Sequence, residues 1–290
     1  TRMVDGIGLL IGAKTYILDD EDSSTIDTLI IDDLNDILNP DIKKHEVYFL
    51  QSQYREEMDQ NSTGTLDWGF YPVFGYFNPN QDYPAMSDDP ETWPTTGWPS
   101  TGNNLQWKGF WDGRFGKGIT YADLETYFVI NDAQDQENIN RSDYRYYPRP
   151  GHFIQEDASV QSGLPWGGLG LRVEARGFQW NNPLVRDALF WEYNITNISD
   201  YDINEVAFGY WVDNAIGGES TLDDEVGYFD TNLDLSYSWD FNGIGEGASE
   251  PGIMGFAYLE SPGISDDIID NDNDGIIDEK RDNDKGTIIC

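Results

Sequence analysis

Hydrophobic and polar residues alternate most cleanly in "LGLRVEARGFQW", residues 169–180, where Leu169, Leu171, Val173 and Ala175 interleave with Gly170, Arg172, Glu174 and Arg176. A period of two sends successive side chains to opposite faces, so the pattern predicts a half-buried strand with its charged face toward water. Residues 8–17 ("GLLIGAKTYI"), 45–50 ("HEVYFL") and 124–132 ("LETYFVIND") predict further strands. So do "ALFWEYNITN" and "INEVAFGYWVD", joined by the turn-rich "ISDYD", followed by "LDLSYSW" and "IMGFAYL". Early in the chain Ile26, Leu29, Ile30, Leu34, Ile37 and Leu38 fall at helical spacing, with Ser23 or Ser24 as a cap and Pro40 as a stop. A short helix is predicted there, although "TLIID" reads equally well as strand.

From Asp67 to Gly118 neither period holds, and Trp, Tyr, Phe, Pro and Gly crowd the sequence. Such a stretch predicts long ordered loops pinned by aromatic rings. Many short strands separated by turn residues, with little helix, point to a mainly β fold: an antiparallel β-sandwich with long aromatic-rich loops. The expected organisation is a β-rich N-terminal region over residues 1–160, an immunoglobulin-like sandwich over 161–263 and an acidic connector over 264–290. Whether residues 1–160 form a separate domain or elaborate the same sandwich is open at this level.

Composition narrows the setting. The 290 residues are 38% hydrophobic and 14% aromatic, enough for a real core, yet 54 acids face 17 bases for a net charge of −37. A folded chain so charged repels itself, and divalent cations are the usual relief. Nucleic acid and anionic membrane surfaces are poor partners, because counterion release needs a basic patch. The balance favours a protein bathed in salt and Ca²⁺ outside the cytosol. The one cysteine, Cys290, allows no internal disulfide. No run of about 18 apolar residues exists, so no membrane span is expected. The chain opens on Thr1-Arg2 without a charged and apolar leader, so a signal peptide is expected to be absent or removed. It stops on "GTIIC", where a longer parent protein is expected to continue.

The densest chemistry is "DNDNDGIIDEKRDND", residues 270–284. Ca²⁺ takes six to eight oxygens, and alternating acids can turn Asp270, Asp272 and Asp274 inward. Gly275 permits the sharp turn, the Ile276 carbonyl can ligate, Asp278 closes the near side and Asp282 follows. An EF-hand would need a bidentate Glu at the twelfth loop position, which is Arg281 here, so a helix-pair sensor is excluded. The remaining D-x-D-x-D-G-x-x-D pattern resembles the calcium repeats of thrombospondin type-three and related bacterial acidic linkers. A second candidate cation site comprises Asp213 at the end of "GYWVD" with Asp223, Asp224 and Asp230 in the expected loop "NAIGGESTLDDEVGYFD". Ordinary turn acids would look the same.

Several longer stretches share one resemblance: "GFYPVFGYFNPNQDYPAMSDDPETWP", "ADLETYFVINDAQDQEN", "GLGLRVEARGFQWNNPLVRDALFWEYNITNISDYDINEVAFGYWVD" and "GIMGFAYLESPG", then the Asp-rich loop. Together they resemble a family of large secreted, cell-surface proteins of Bacteroidota and neighbouring phyla, many ending in a type IX secretion sorting domain. The resemblance covers most of residues 67–284, and residues 1–66 match only loosely at "GLLIGAK". It implies export to the cell surface, a β-rich fold and calcium repeats, and supplies no catalytic residue to carry over.

Catalytic signatures are mostly missing. H-E-x-x-H, G-x-S-x-G and the P-loop are absent, and "GIGEGA" at 243–248 is followed by Pro251 where a dinucleotide-binding helix would begin. His45 and His152 lie far apart in sequence and read as surface or hydrogen-bonded histidines. A glycosidase needs two carboxylates, and Glu174 and Glu192, on strands near aromatics, are the first pair to test. Trp68, Trp93, Trp98, Trp107 and Trp111 sit in loops among Tyr, Asn and Asp, a composition suited to stacking sugar rings. The same rings would equally serve to hold long loops by burial, the role favoured here.

The expectation is therefore a secreted, calcium-stabilised structural or adhesive protein of the cell surface, able to self-associate into a filament or surface layer. Carbohydrate binding, led by Trp93, Trp98, Trp107 and Trp111, is the alternative, and glycoside hydrolysis stands third.

Overall fold

A computed structural model describes residues 3–18, 44–53, 59–60, 67–73, 76–94, 109–132, 169–198, 203–218, 224–259, 280–282 and 287–289. The protein is mainly β, built from antiparallel sheets. The helix expected near residues 23–39 lies outside the described residues.

The alternating stretches become the long strands. Residues 8–17 lie in β1 (Val4–Leu18), which pairs antiparallel with β2 (Lys44–Ser52), and β12 (Asn204–Asn214) completes that sheet in the order β12-β1-β2. A second, five-stranded sheet runs β11 (Phe190–Asn197), β10 (Leu171–Gln179), β9 (Leu124–Asn131), β5 (Tyr71–Pro72), with β6 (Ala85–Met86) also on β9. A third sheet is the meander β13 (Glu225–Asp230), β14 (Leu235–Asp240), β15 (Met254–Ala257). Short hairpins join β3 (Asp59–Gln60) to β4 (Asp67–Trp68), β7 (Asp112–Gly113) to β8 (Gly116–Lys117), and β16 (Lys280–Asp282) to β17 (Thr287–Ile289).

The chain divides into two compact units, one of Gly8–Trp211 and one of Thr1–Ile7 with Val212–Cys290. On either side of residue 160, β9 and β10 are neighbours along eight residue pairs of one sheet. Sequence distance hid that pairing.

In the Gly8–Trp211 unit, Leu9, Ile11 and Ala13 of β1 pack against Ile130 of β9 and Leu171 and Val173 of β10, with Tyr193 and Ile195 of β11 alongside. Two antiparallel sheets thus share one apolar core, each contributing the face that period two assigns to it. A second cluster, Val73, Tyr76, Ala85, Trp111, Tyr127 and Val129, lies on the opposite side of β9. The aromatic segment therefore folds back over the five-stranded sheet and covers it. Gly113 records how tightly: a Cβ there would lie 1.8 Å from the Ile119 carbonyl oxygen and 3.2 Å from the Glu125 carboxylate.

Candidate functional site

The cover changes the character of β10. Its charged face was expected in water, but Arg172 and Arg176 are 8% and 7% exposed and every residue from Leu171 to Phe178 except Glu174 is buried. Charges removed from water need partners, and the covering loop provides them. Glu125, at 0% exposure, accepts hydrogen bonds from the Trp111 indole (2.8 Å), the Ala122 amide (3.3 Å) and the Tyr121 amide. The Arg176 guanidinium lies 4.0 Å from the same carboxylate, donates to the Asp112 carbonyl at 2.9 Å and sits 4.6 Å from the Tyr127 ring centre. Burial, reinforced by the Glu174 charge, raises the Tyr127 phenol well above its ordinary range. This face is an ionic interior that ties residues 109–132 to β10.

The candidate catalytic acids sit on that same face. Arg176 opposes Glu192, and Glu174 opposes Asn194, across the β10–β11 ladder. Glu174 pairs with Arg172 at 3.1 Å and Glu192 with Arg114. The Arg114–Glu192 pair fastens loop to sheet, and the Arg172–Glu174 pair lies along β10. Among the candidate sugar-binding rings, Trp111 is 4% exposed with its N–H bound to Glu125. Trp93 is half-buried, donates to the Met86 carbonyl at 2.6 Å and lies 6.1 Å from Trp111. These two rings brace the loop. Trp98, Trp107 and His152 lie outside the described residues, as do the side chains of Trp68 and His45.

A different aromatic run reaches solvent at one end. Phe115, Tyr121, Phe178, Trp180 and Phe190 form a continuous run of ring contacts with centres 4.9–6.1 Å apart. Phe115 and Tyr121 are 46% and 51% exposed. Beside the run, Asp123, Leu124, Gln179, Trp180, Asn181 and Arg186 line an open depression of about 250 Å³. The Asp123 carboxylate accepts from the Asn181 backbone at 2.8 Å. The side-chain amides of Gln179 and Asn181 carry no hydrogen bond among the described residues. An indole flanked by amides, a carboxylate and a guanidinium is a surface that can stack a sugar ring and bond its hydroxyls. Sequence reading passed over Trp180 because it ends a strand rather than lying in the Trp-rich loop.

The cation candidates are redistributed. Residues 225–230, expected as loop, form β13, and Asp224 and Asp230 fall at its opposite ends. Six residues of strand separate them by roughly 20 Å, so they cannot share an ion. Asp230 instead caps the β13–β14 turn, accepting from the amides of Asn232 (2.9 Å) and Leu233 (3.2 Å). Asp213 is half-buried in β12 and has an interaction of its own. Asp223, Asp270, Asp272, Asp274, Ile276 and Asp278 lie outside the described residues, and for Asp282 only its backbone place in β16 is described. Among the described residues no group of three or more His, Cys, Asp or Glu side chains forms a metal cage, and no helix is long and apolar enough to cross a membrane.

Comparison with protein-family models, with curated proteins and with solved structures finds no match to this chain.

Proposed function

We propose that this is a secreted structural or adhesive protein of the cell surface, stabilised by calcium, in which the β13–β15 sheet joins a second copy of the same chain. The observation that carries the reading is that sheet's lack of cover. Tyr228 and Phe229 of β13 are 57% and 52% exposed, and Ile253, Tyr258 and Leu259 flanking β15 are 71%, 43% and 67% exposed. Neither apolar core cluster contains a residue of β13, β14 or β15. Three strands need an apolar face against something to be stable in water. Among the described residues both outer strands have an open ladder edge, and neither carries the lysine or proline that ordinarily blunts an edge. Backbone pairing of an edge with the same strand of another copy supplies the missing partner, and calcium screens the −37 charge that opposes it.

Replacing Tyr228 and Phe229 by Lys tests this reading. The double variant should keep the β-sheet circular dichroism spectrum of the parent and lose its calcium-dependent oligomers in sedimentation velocity. Oligomers that persist unchanged would remove β13 from the contact.

Sugar binding remains a second reading, favoured by the Trp180 depression. Neutral oligosaccharides are the fitting ligands, since polyanionic glycans meet a highly acidic chain. A glycan array with Trp180→Ala as control decides it: signal lost in the variant supports the site, and signal retained removes Trp180 from it.

A further inference from the structure

The end of β13 and β14 beside the last residue of β12 carries a chemical imbalance. Glu225 and Asp240 are direct partners across the β13–β14 ladder. Like charges opposed at that spacing repel, and neither is paired with Lys or Arg among the described residues. Asp240 is 5% exposed; its Oδ1 accepts the Ile244 amide at 3.1 Å, while its Oδ2 is buried without a hydrogen-bond partner. Asn214 donates Nδ2 to Ser238 Oγ at 3.0 Å, and Ser238 shares the Asp240 face of β14 two residues away. The Asn214 Oδ1 is likewise buried and unpartnered. Asp224 repeats the pattern: one carboxylate oxygen accepts the Asn242 amide, and the other is buried with no partner. Glu225 turns one oxygen to the Ile216 amide.

Among the described residues of this unit, every buried side-chain atom left unpartnered is thus an oxygen acceptor: Asn214 Oδ1, Asp224 Oδ1 and Asp240 Oδ2. Buried acceptors without donors, together with two carboxylates facing one another, are what a cation site looks like without its ion.

We propose that Asn214, Glu225 and Asp240 bind a calcium ion. The donors are hard oxygens, carboxylate and amide together, with no thiolate or imidazole, which suits Ca²⁺ better than a transition metal. Its flexible coordination also tolerates ligands drawn from three strands where Mg²⁺ demands a near-ideal octahedron. The ion neutralises the Glu225–Asp240 repulsion and fastens the end of β12 to the β13–β14 hairpin. It acts in a unit from which neither apolar core cluster draws a residue. The site contains none of the four acids that sequence spacing had grouped.

The test uses the full chain with Asp270, Asp272 and Asp274 replaced by Asn, so that the acidic loop is silent. Terbium luminescence, sensitised by the adjacent Trp239, reads occupancy, and melting is followed in Ca²⁺ and in EGTA. The parent should bind one ion here, and Asp240→Asn or Glu225→Gln should weaken it at least tenfold. The melting shifts should reverse sign: each variant melts above the parent in EGTA, where repulsion is relieved, and below it in Ca²⁺, where a ligand is lost. Terbium emission unchanged by both substitutions, or variants that melt lower by the same amount in both buffers, would overturn the site in favour of acceptors satisfied by water.

Discussion

Asp132→Ala should be among the most damaging single substitutions outside the apolar core. Asp132 follows β9, is fully buried, and accepts three backbone hydrogen bonds: from Leu169 at 2.7 Å, Gly170 at 3.0 Å and Leu171 at 3.0 Å. Those residues lead into β10, where Gly170 has a positive φ of 74° and its carbonyl accepts the Ile198 amide. One carboxylate therefore organises the entry of the central strand. Alanine leaves three buried N–H groups without an acceptor, each costing about 1–3 kcal/mol, so a loss of about 3–6 kcal/mol is expected once water recovers part of it. Urea unfolding at pH 8, followed by tryptophan fluorescence, measures it. A loss below about 1 kcal/mol would refute the assigned role.

The pH dependence gives the same residue a second test. Burial pushes the Asp132 carboxyl up to about 7, against the pull of its backbone hydrogen bonds. With its folded pKa above the unfolded value, Asp132 binds a proton in the native state that the unfolded chain has released. Its contribution is therefore fully present below pH 4 and is lost as pH rises to 7, a span of about three units or ~4 kcal/mol. The stability gap between wild type and Asp132→Ala should widen on acidification from pH 7 to 4 and stay flat above 7. A gap that narrows instead would mean that the three amides outweigh burial and hold the carboxylate ionised.

The remaining predictions concern the covered face and the acidic loop. Trp111→Ala removes a buried ring and the indole donor to Glu125, so a loss of about 3–5 kcal/mol is expected in the same urea assay. Gly113→Ala drives a Cβ into the Ile119 carbonyl, so the β7–β8 hairpin must rearrange; the variant should melt lower and expose residues 109–122 to amide exchange. Glu192→Gln should cost less than about 1 kcal/mol, because its ion pair with Arg114 is partly solvated, whereas Glu125→Gln should cost several-fold more. Residues 264–290 should become protease-sensitive in EGTA and resist cleavage in Ca²⁺; cleavage indifferent to calcium would remove the ion from that segment.

How much of this was legible in the sequence varied with the range of the contact involved. Leu171, Val173 and Ala175 announced the apolar face of β10 because a period of two is local, and the register of β10 with β11 keeps it. The fate of Arg172 and Arg176 was not legible: alternation marks which residues share a face, not whether another segment covers it. The cover comes from residues some 40–100 positions earlier in the chain, and only the third dimension joins Trp111 and Asp112 to Glu125 and Arg176. The acids behave alike. Counting along "NAIGGESTLDDEVGYFD" grouped Asp224 with Asp230, but a strand between them puts one at each end. Asp240, far from that loop in sequence, is brought opposite Glu225 by the hairpin. The half-buried Trp180 was concealed because it closes the alternating stretch, and residues there read as core until the neighbouring turn is known.

Identical chains are proposed to associate through the β13–β15 sheet. Sedimentation velocity of the wild-type chain across a concentration series, in Ca²⁺ and in EGTA, tests it most directly. Concentration-dependent oligomers in Ca²⁺ that dissociate in EGTA are the predicted result. A strict monomer in both buffers at every concentration would contradict it.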